Sequence, residues 1–200
     1  AARLPRQGIL LIILLAFMWG ITWPSMRMAV SEVSPWTFRA ICLAVGTITL
    51  FGVALARGRR LAIPKAEILP LIVVGLLNVT AYHLLTAHGL TRVEAGRGVI
   101  LSFTFPLWSV LFGAVVLREA LTLSRILALL LGLGAMALLL GPEIATLGRA
   151  PWGSLLLVGS AITWAAATMC FKLVKWTLGS GELAAWQVAF GGVPVMVGAV

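Results

Sequence analysis

Long apolar runs separated by short polar breaks set the pattern of this chain. The stretch between Arg97 and Arg118 holds no charged residue, and it has about the twenty residues a helix needs to cross the hydrocarbon core of a bilayer. Seven such spans are predicted: residues 8 to about 30, 35–56, 66–87, 95–117, 123–140, 152–171, and a last one that starts near 182 and is still running at 200. The runs are continuous rather than alternating, which favours helices over the strands of a barrel. Their connections are short, so consecutive helices are expected to be antiparallel neighbours.

The hairpin over residues 82–119 organises the rest. Its second helix carries a stripe of small residues at helical spacing: Ala95, Gly98, Ser102, Pro106, Ser109 and Gly113. Phe103, Leu107, Val110 and Val115 lie off that stripe. Such a helix turns small residues toward neighbouring helices. Pro106 stands in mid-helix and cannot donate to the carbonyl of Ser102, which frees an acceptor near mid-membrane. Small side chains, a free carbonyl and two hydroxyls there predict the wall of a polar cavity.

Composition strengthens the membrane reading. The chain is 61% hydrophobic and 10% charged, with a mean hydropathy of +1.08. An ordinary soluble domain is about one quarter charged and cannot absorb so much apolar surface. The first run carries Trp19, Trp23 and Pro24 and has no small-residue cleavage site, so it is not a removable signal peptide. The net charge of +9 would suit nucleic acid, but the basic residues sit in the breaks between apolar runs, where membrane topology wants them. No nucleic-acid partner is therefore predicted. With the N-terminus inside, Arg3, Arg6, Arg57, Arg59, Arg60, Lys65, Arg118, Arg125, Lys172 and Lys175 face inward, ten of 15 basic residues. Arg27, Arg39, Arg92, Arg97 and Arg149 make up the remainder. The expectation is an all-α polytopic protein of the inner (plasma) membrane with a cytoplasmic N-terminus. Cys42 and Cys170 both fall inside predicted helices, so they read as packing thiols; no metal site and no cofactor is expected.

An internal repeat is present. FMWGITWPSMR at 17–27 aligns with ITWAAATMCFK at 162–172, which pairs Trp19 with Trp164 and Arg27 with Lys172 at an offset of 145. After a three-residue insertion, PWTFRA at 35–40 meets LAAWQV at 183–188. Spans one and six run in opposite senses, and two similar units of opposite sense are a common plan for secondary transporters. The last apolar run stops without a polar cap, so the expectation is an incomplete last helix or a longer parent chain.

WGITWPSMRMAVSEVSPWTFRA resembles the opening of the drug/metabolite transporter superfamily in its EamA-type branch: a Trp-Gly pair on the first helix, then Pro35 to Arg39 at the start of the second. AHGLTRVEAGRGVILSFTFPLWSVLFGAVVLREALT resembles that family's third and fourth helices, with Pro106 and the closing Glu119, and RILALLLGLGAMALL resembles its fifth. The resemblance implies ten helices in two inverted five-helix repeats, and transport of small metabolites, often amino acids outward. About seven helices are present here: residues 1–148 would be the first repeat and 149–200 the start of the second.

Candidate site residues follow. Trp19 and Trp23 lie four apart on one face, too deep for comfortable interfacial anchors, and Pro24 frees the Gly20 carbonyl. Asn78, Tyr82 and Thr86 recur every four residues as a polar stripe beside His83; interhelical hydrogen bonding alone would also explain such a stripe. His88 lies nearer the outer turn and reads as ordinary. Ser160, Trp164 and Ala167 share a face of the sixth span. Trp19, Trp23, Tyr82, His83, Ser102 and Trp164 are placed around one midplane cavity, with Asn78, Thr86 and Pro106 as further substrate-binding positions. Arg39 either snorkels at the outer interface or clamps a carboxylate at the outer mouth. Arg118, Glu119 and Arg125 read as a structural charge cluster. No Asp or Glu lies mid-span, so proton coupling, if present, would fall to His83; otherwise the protein is a facilitator.

These features predict a secondary transporter of neutral amino acids or similar small metabolites, exporting by alternating access, as a monomer or homodimer. The alternatives are a small multidrug exporter of the same superfamily and a non-transport structural subunit. An intramembrane enzyme would need a nucleophile with its base, paired aspartates or a metal set, and none is visible. A phosphorylated substrate would need mid-membrane Lys or Arg clusters, which are also lacking.

Overall fold

The computed structural model describes residues 6–147 and 152–200, with the backbone alone for 6–7 and 139–147. Arg3, Arg149 and the expected boundary between repeats therefore lie outside the described residues or their side chains. Through the described residues run seven helical spans: α1 (Arg6–Glu32), α2 (Pro35–Ala56), α3 (Lys65–Leu90), α4 (Ala95–Val116), α5 (Leu123–Leu147), α6 (Trp152–Leu173) and α7 (Ser180–Gly198). Each matches one expected span in order. Five of them, α1 to α4 and α6, are long and apolar enough to cross a membrane, and α5 holds a shorter apolar stretch over Leu123–Leu138. The protein is an all-helical polytopic membrane protein.

Two spans are irregular, and both irregularities shape the site. Between Gly75 and Tyr82, α3 loosens into a π-helical segment, Leu76–Ala81. Such segments are rare and rotate everything beyond them relative to an ideal helix. The second irregularity corrects an expectation. Pro106 does not sit in mid-helix; α4 ends a first helix at Ser102, turns through Phe103 and Thr104, and restarts as Phe105–Val116 with Pro106 in the new first turn. A proline ring clashes with the carbonyl four residues earlier and lacks an N–H, so the first turn is where it costs least. Thr104 closes the turn, its Oγ1 donating to Leu101 O at 2.7 Å.

Small residues let the helices approach closely, as expected where lipid supplies no hydrophobic drive for association. The most buried of the long helices, α6, packs on both halves of α3 and of α4. A Cβ added to Gly89 would lie 2.6 Å from Leu157 Cγ and 3.1 Å from Gly153 O. In turn, α7 packs along α2 and α3, where a Cβ on Gly75 would lie 3.0 Å from Gln187 O. The main core joins Trp23, Met26 and Val30 of α1 to Leu90, Leu101 and Leu157.

Alternate connections gather at opposite ends. At one end Arg59 Nε approaches Glu182 Oε1 at 3.7 Å, Trp186 Nε1 donates to Leu61 O at 3.0 Å, and Thr177 N donates to Glu67 Oε1 at 2.9 Å. At the other end Trp36 meets His88 edge-on at 6.0 Å, and Arg92 lies against Gly153. Much of α1 stays uncovered: Leu10, Leu11, Phe17 and Met18 are exposed, an apolar surface suited to lipid.

Candidate functional site

A cavity of about 210 Å³ opens between α1, α2, α3, α4 and α6. Four of its residues come from α1. Trp19, Thr22, Trp23 and Met26 follow the i, i+3, i+4, i+7 spacing of one helix face. Arg39 comes from α2, Tyr82 and His83 from α3 just past the π segment, Phe103 from the break in α4, and Trp164 from α6.

The walls are aromatic and hold one another edge to face. The Trp164 indole meets Tyr82 at 4.6 Å and 88°, meets Trp19 at 6.2 Å and 74°, and stacks on Phe105 at 5.3 Å and 21°. Phe103 meets Trp19 at 6.0 Å and Trp23 at 6.2 Å. Edge-to-face contacts of this kind each stabilise by about 0.5–1.5 kcal/mol beyond area burial. The wall is thus pre-organised and presents ring surfaces to a solute. Trp19 and Trp164, which the expected repeat would relate, meet here.

The polar part is sparse. Arg39 does not snorkel to the interface; its side chain turns inward and is 8% exposed. Nε donates to His83 O at 3.2 Å, and Nη2 lies against the thioether sulfur of Met26. The His83 carbonyl and the Met26 sulfur, from two other helices, hold the guanidinium within the bundle. Among the described residues no carboxylate lies within ion-pair distance of it. His83 stands beside Tyr82, rings 5.2 Å apart, and its Nδ1 is buried without a hydrogen-bond partner. Among the described residues no Asp or Glu lines the cavity.

The other expected residues are placed elsewhere. Ser102 is buried, but its Oγ pairs with Ser160 Oγ at 3.1 Å in the α4–α6 seam, and Ser160 in turn donates to Leu157 O. Thr86 is buried and returns its hydroxyl to the Tyr82 carbonyl, the usual local bond of a helical threonine. Pro106 borders a third hollow, against Leu107, Gly132 and Met136 between α4 and α5. Asn78 lines a second hollow of about 260 Å³ with Thr168, Lys172 and Gln187, and its Nδ2 donates to Gln187 Oε1 at 3.3 Å. Asn78 lies within the π segment and Tyr82 just past it, so a stripe drawn at α-helical spacing fails there. Trp164 borders both hollows.

Sequence reasoning missed Thr22, Met26 and Phe103. The first two were readable from the α1 face that Trp19 and Trp23 define. Phe103 was not, because it reaches the cavity only through the break in α4. Among the described residues no cluster of His, Cys, Asp or Glu could hold a metal ion.

Comparison with known proteins assigns the fold's lineage. The chain is similar to the uncharacterized transporter YoaV of Bacillus subtilis, 25% identical over 93% of this chain and 64% of that protein. It is 25% identical to an S-adenosylmethionine/S-adenosylhomocysteine transporter of Chlamydia trachomatis serovar L2, over 86% of this chain and 52% of the relative. It is 26% identical to the aromatic amino acid exporter YddG of Ancylobacter novellus, over 76% of this chain and 55% of the relative. The chain thus spans between half and two thirds of the length of these relatives. The model of the EamA-like transporter family matches residues 6–141, and that match, over most of the chain, shows that it belongs to this family.

Proposed function

We propose that the protein exports small amphipathic metabolites, aromatic or other neutral amino acids foremost, by alternating access around the cavity walled by α1, α3, α4 and α6. The observation that carries this reading is the cavity itself: five aromatic rings and one buried guanidinium converge there. Such a lining suits a solute with an apolar body and one polar end. The contact between Trp19 and Trp164 supports a cavity on the axis of an inverted repeat. The setting we propose is the inner membrane, with the N-terminus cytoplasmic and the protein monomeric or homodimeric. No catalytic step is part of this reading.

Two related chemistries fit less well. A sulfonium substrate such as S-adenosylmethionine, or a cationic drug, would bring positive charge beside Arg39 with no acidic residue in the lining to offset it. We also propose movement down the substrate gradient, since among the described residues no carboxylate lines the cavity to carry a proton.

The test is counterflow in liposomes holding the complete protein and preloaded with unlabelled phenylalanine. Labelled phenylalanine should accumulate inside, and Trp164→Ala should lower the initial rate by about tenfold or more, the loss expected when an aromatic stacking wall worth about 1.4 kcal/mol is removed. Absence of counterflow for aromatic, aliphatic and small neutral amino acids alike would sink the proposal.

A further inference from the structure

The charge in the cavity is one-sided. Among the described residues the Arg39 guanidinium is its one permanent charge, and no Asp or Glu shares the lining. The side chain is 8% exposed, and an arginine cannot shed its proton to relieve burial. A buried charge normally has a partner of opposite sign. Among the described residues the protein supplies only weaker partners: the His83 carbonyl takes Nε, the Met26 sulfur faces Nη2, and the Phe38 ring lies 5.3 Å from Cζ. Nη1 has no hydrogen-bond partner among the described residues. The imidazole Nδ1 of His83, on the residue whose carbonyl holds Arg39, is buried and unpartnered. One nitrogen of the guanidinium and one of the imidazole are thus left without a hydrogen bond in one aromatic cavity, and the guanidinium is a fixed cation whose planar fork matches a carboxylate and has no carboxylate within ion-pair distance among the described residues.

We infer that Arg39, seconded by His83, recognises a carboxylate, and that the carboxylate rather than an amino group is what the ligand must carry. The substrate class is then apolar or aromatic monocarboxylates, with amino acids as one subset. This rests on the cavity being the transport site and narrows what the site selects. An ammonium group gains no ion pair in this lining; it has only ring faces to lie over, and it stands near a like charge. A ligand without an amino group loses nothing there. A ligand without a carboxylate leaves the guanidinium unmatched.

A series of three probes tests this: L-phenylalanine, 3-phenylpropanoate, which lacks the amine, and phenethylamine, which lacks the carboxylate. None contains an indole, so quenching of the protein's tryptophan emission reports binding to the complete protein in lipid nanodiscs, with Trp19, Trp23 and Trp164 in the wall. The two carboxylates are expected to bind with affinities within about threefold of each other. Phenethylamine should bind about ten- to hundredfold more weakly, the range of a charge-assisted hydrogen bond. Arg39→Met should abolish that preference and Arg39→Lys should keep part of it. The wild-type series stands even if a variant folds poorly. Phenethylamine binding as well as the acids, or Arg39→Met retaining the preference for acids in folded protein, would overturn the inference and leave the aromatic cavity reading intact. Phenylpropanoate binding far more weakly than phenylalanine would also overturn it. No binding by any of the three would overturn the cavity reading itself, and the inference with it.

Discussion

At the scale of single residues, Trp164 and Arg39 set the chemistry, and Ser102 shows how a polar residue at mid-depth can be committed elsewhere. Trp164 touches Tyr82, Trp19 and Phe105 and borders two hollows, so its indole must move or be bypassed if a solute is to pass between them. Ser102→Ala should behave differently. Its partner Ser160 keeps a second bond, to Leu157 O at 2.6 Å, so the loss should be about 0.6–1 kcal/mol of stability with ligand binding unchanged. Thermal melting in detergent together with the quenching assay checks both halves of that statement. His83→Gln bears on energy coupling. Facilitated movement predicts that the variant's rate keeps the wild-type dependence on pH across about pH 5.5–8, the window in which an ordinary imidazole titrates. A wild-type pH dependence that flattens in the variant would shift the reading to proton coupling.

At the scale of elements, two departures from ideal helices do the positioning. The π segment Leu76–Ala81 turns Tyr82 and His83 into the cavity while Asn78 faces the second hollow. Inserting one alanine between Ala81 and Tyr82 should leave the segment in place and swing both side chains by about 100° around the helix axis. The expected outcome is loss of ligand quenching with helical circular dichroism retained. The α3–α7 seam depends on bare backbone. Gly75→Val places a Cβ 3.0 Å from the Gln187 carbonyl, which as backbone cannot step aside. That substitution should cost about 1–3 kcal/mol of stability, the usual range for overpacking, and show as a lowered melting temperature. The break in α4 was half readable: Pro106 advertised a disruption, but the side on which the helix would give way depended on packing. The helix yields ahead of the proline, at Phe103 and Thr104, and that choice aims Phe103 at the cavity and Pro106 away from it.

At the scale of the whole molecule, the connections after α2 and α6 meet at one end, and those after α1 and α3 lie at the other with the start of α6. With the first end cytoplasmic, a cysteine placed at Arg60 should react with an impermeant reagent only from the cytoplasmic side, and one at Glu94 only from the opposite side. The background for both lacks Cys42 and Cys170. The reverse pattern would invert the proposed orientation. Much of this architecture follows from one-dimensional information. A helix must bury its own backbone polar groups in lipid, so apolar runs of about twenty residues and their basic breaks determine the spans, their order and the membrane class without reference to neighbours. The aromatic and ionisable inventory of the site was likewise written in the chain: Trp19, Trp23, Tyr82, His83 and Trp164 stood out by type and depth alone. Which of them share a cavity was decided only in three dimensions. A repeat of 3.6 residues holds only while the helix stays regular, so Asn78 and Pro106 fell to other places once α3 widened and α4 broke, while Thr86 and Ser102 commit their hydroxyls to the Tyr82 carbonyl and to Ser160. Arg39, long enough to reach either the headgroups or the interior, was turned inward by a carbonyl and a sulfur that belong to two other helices.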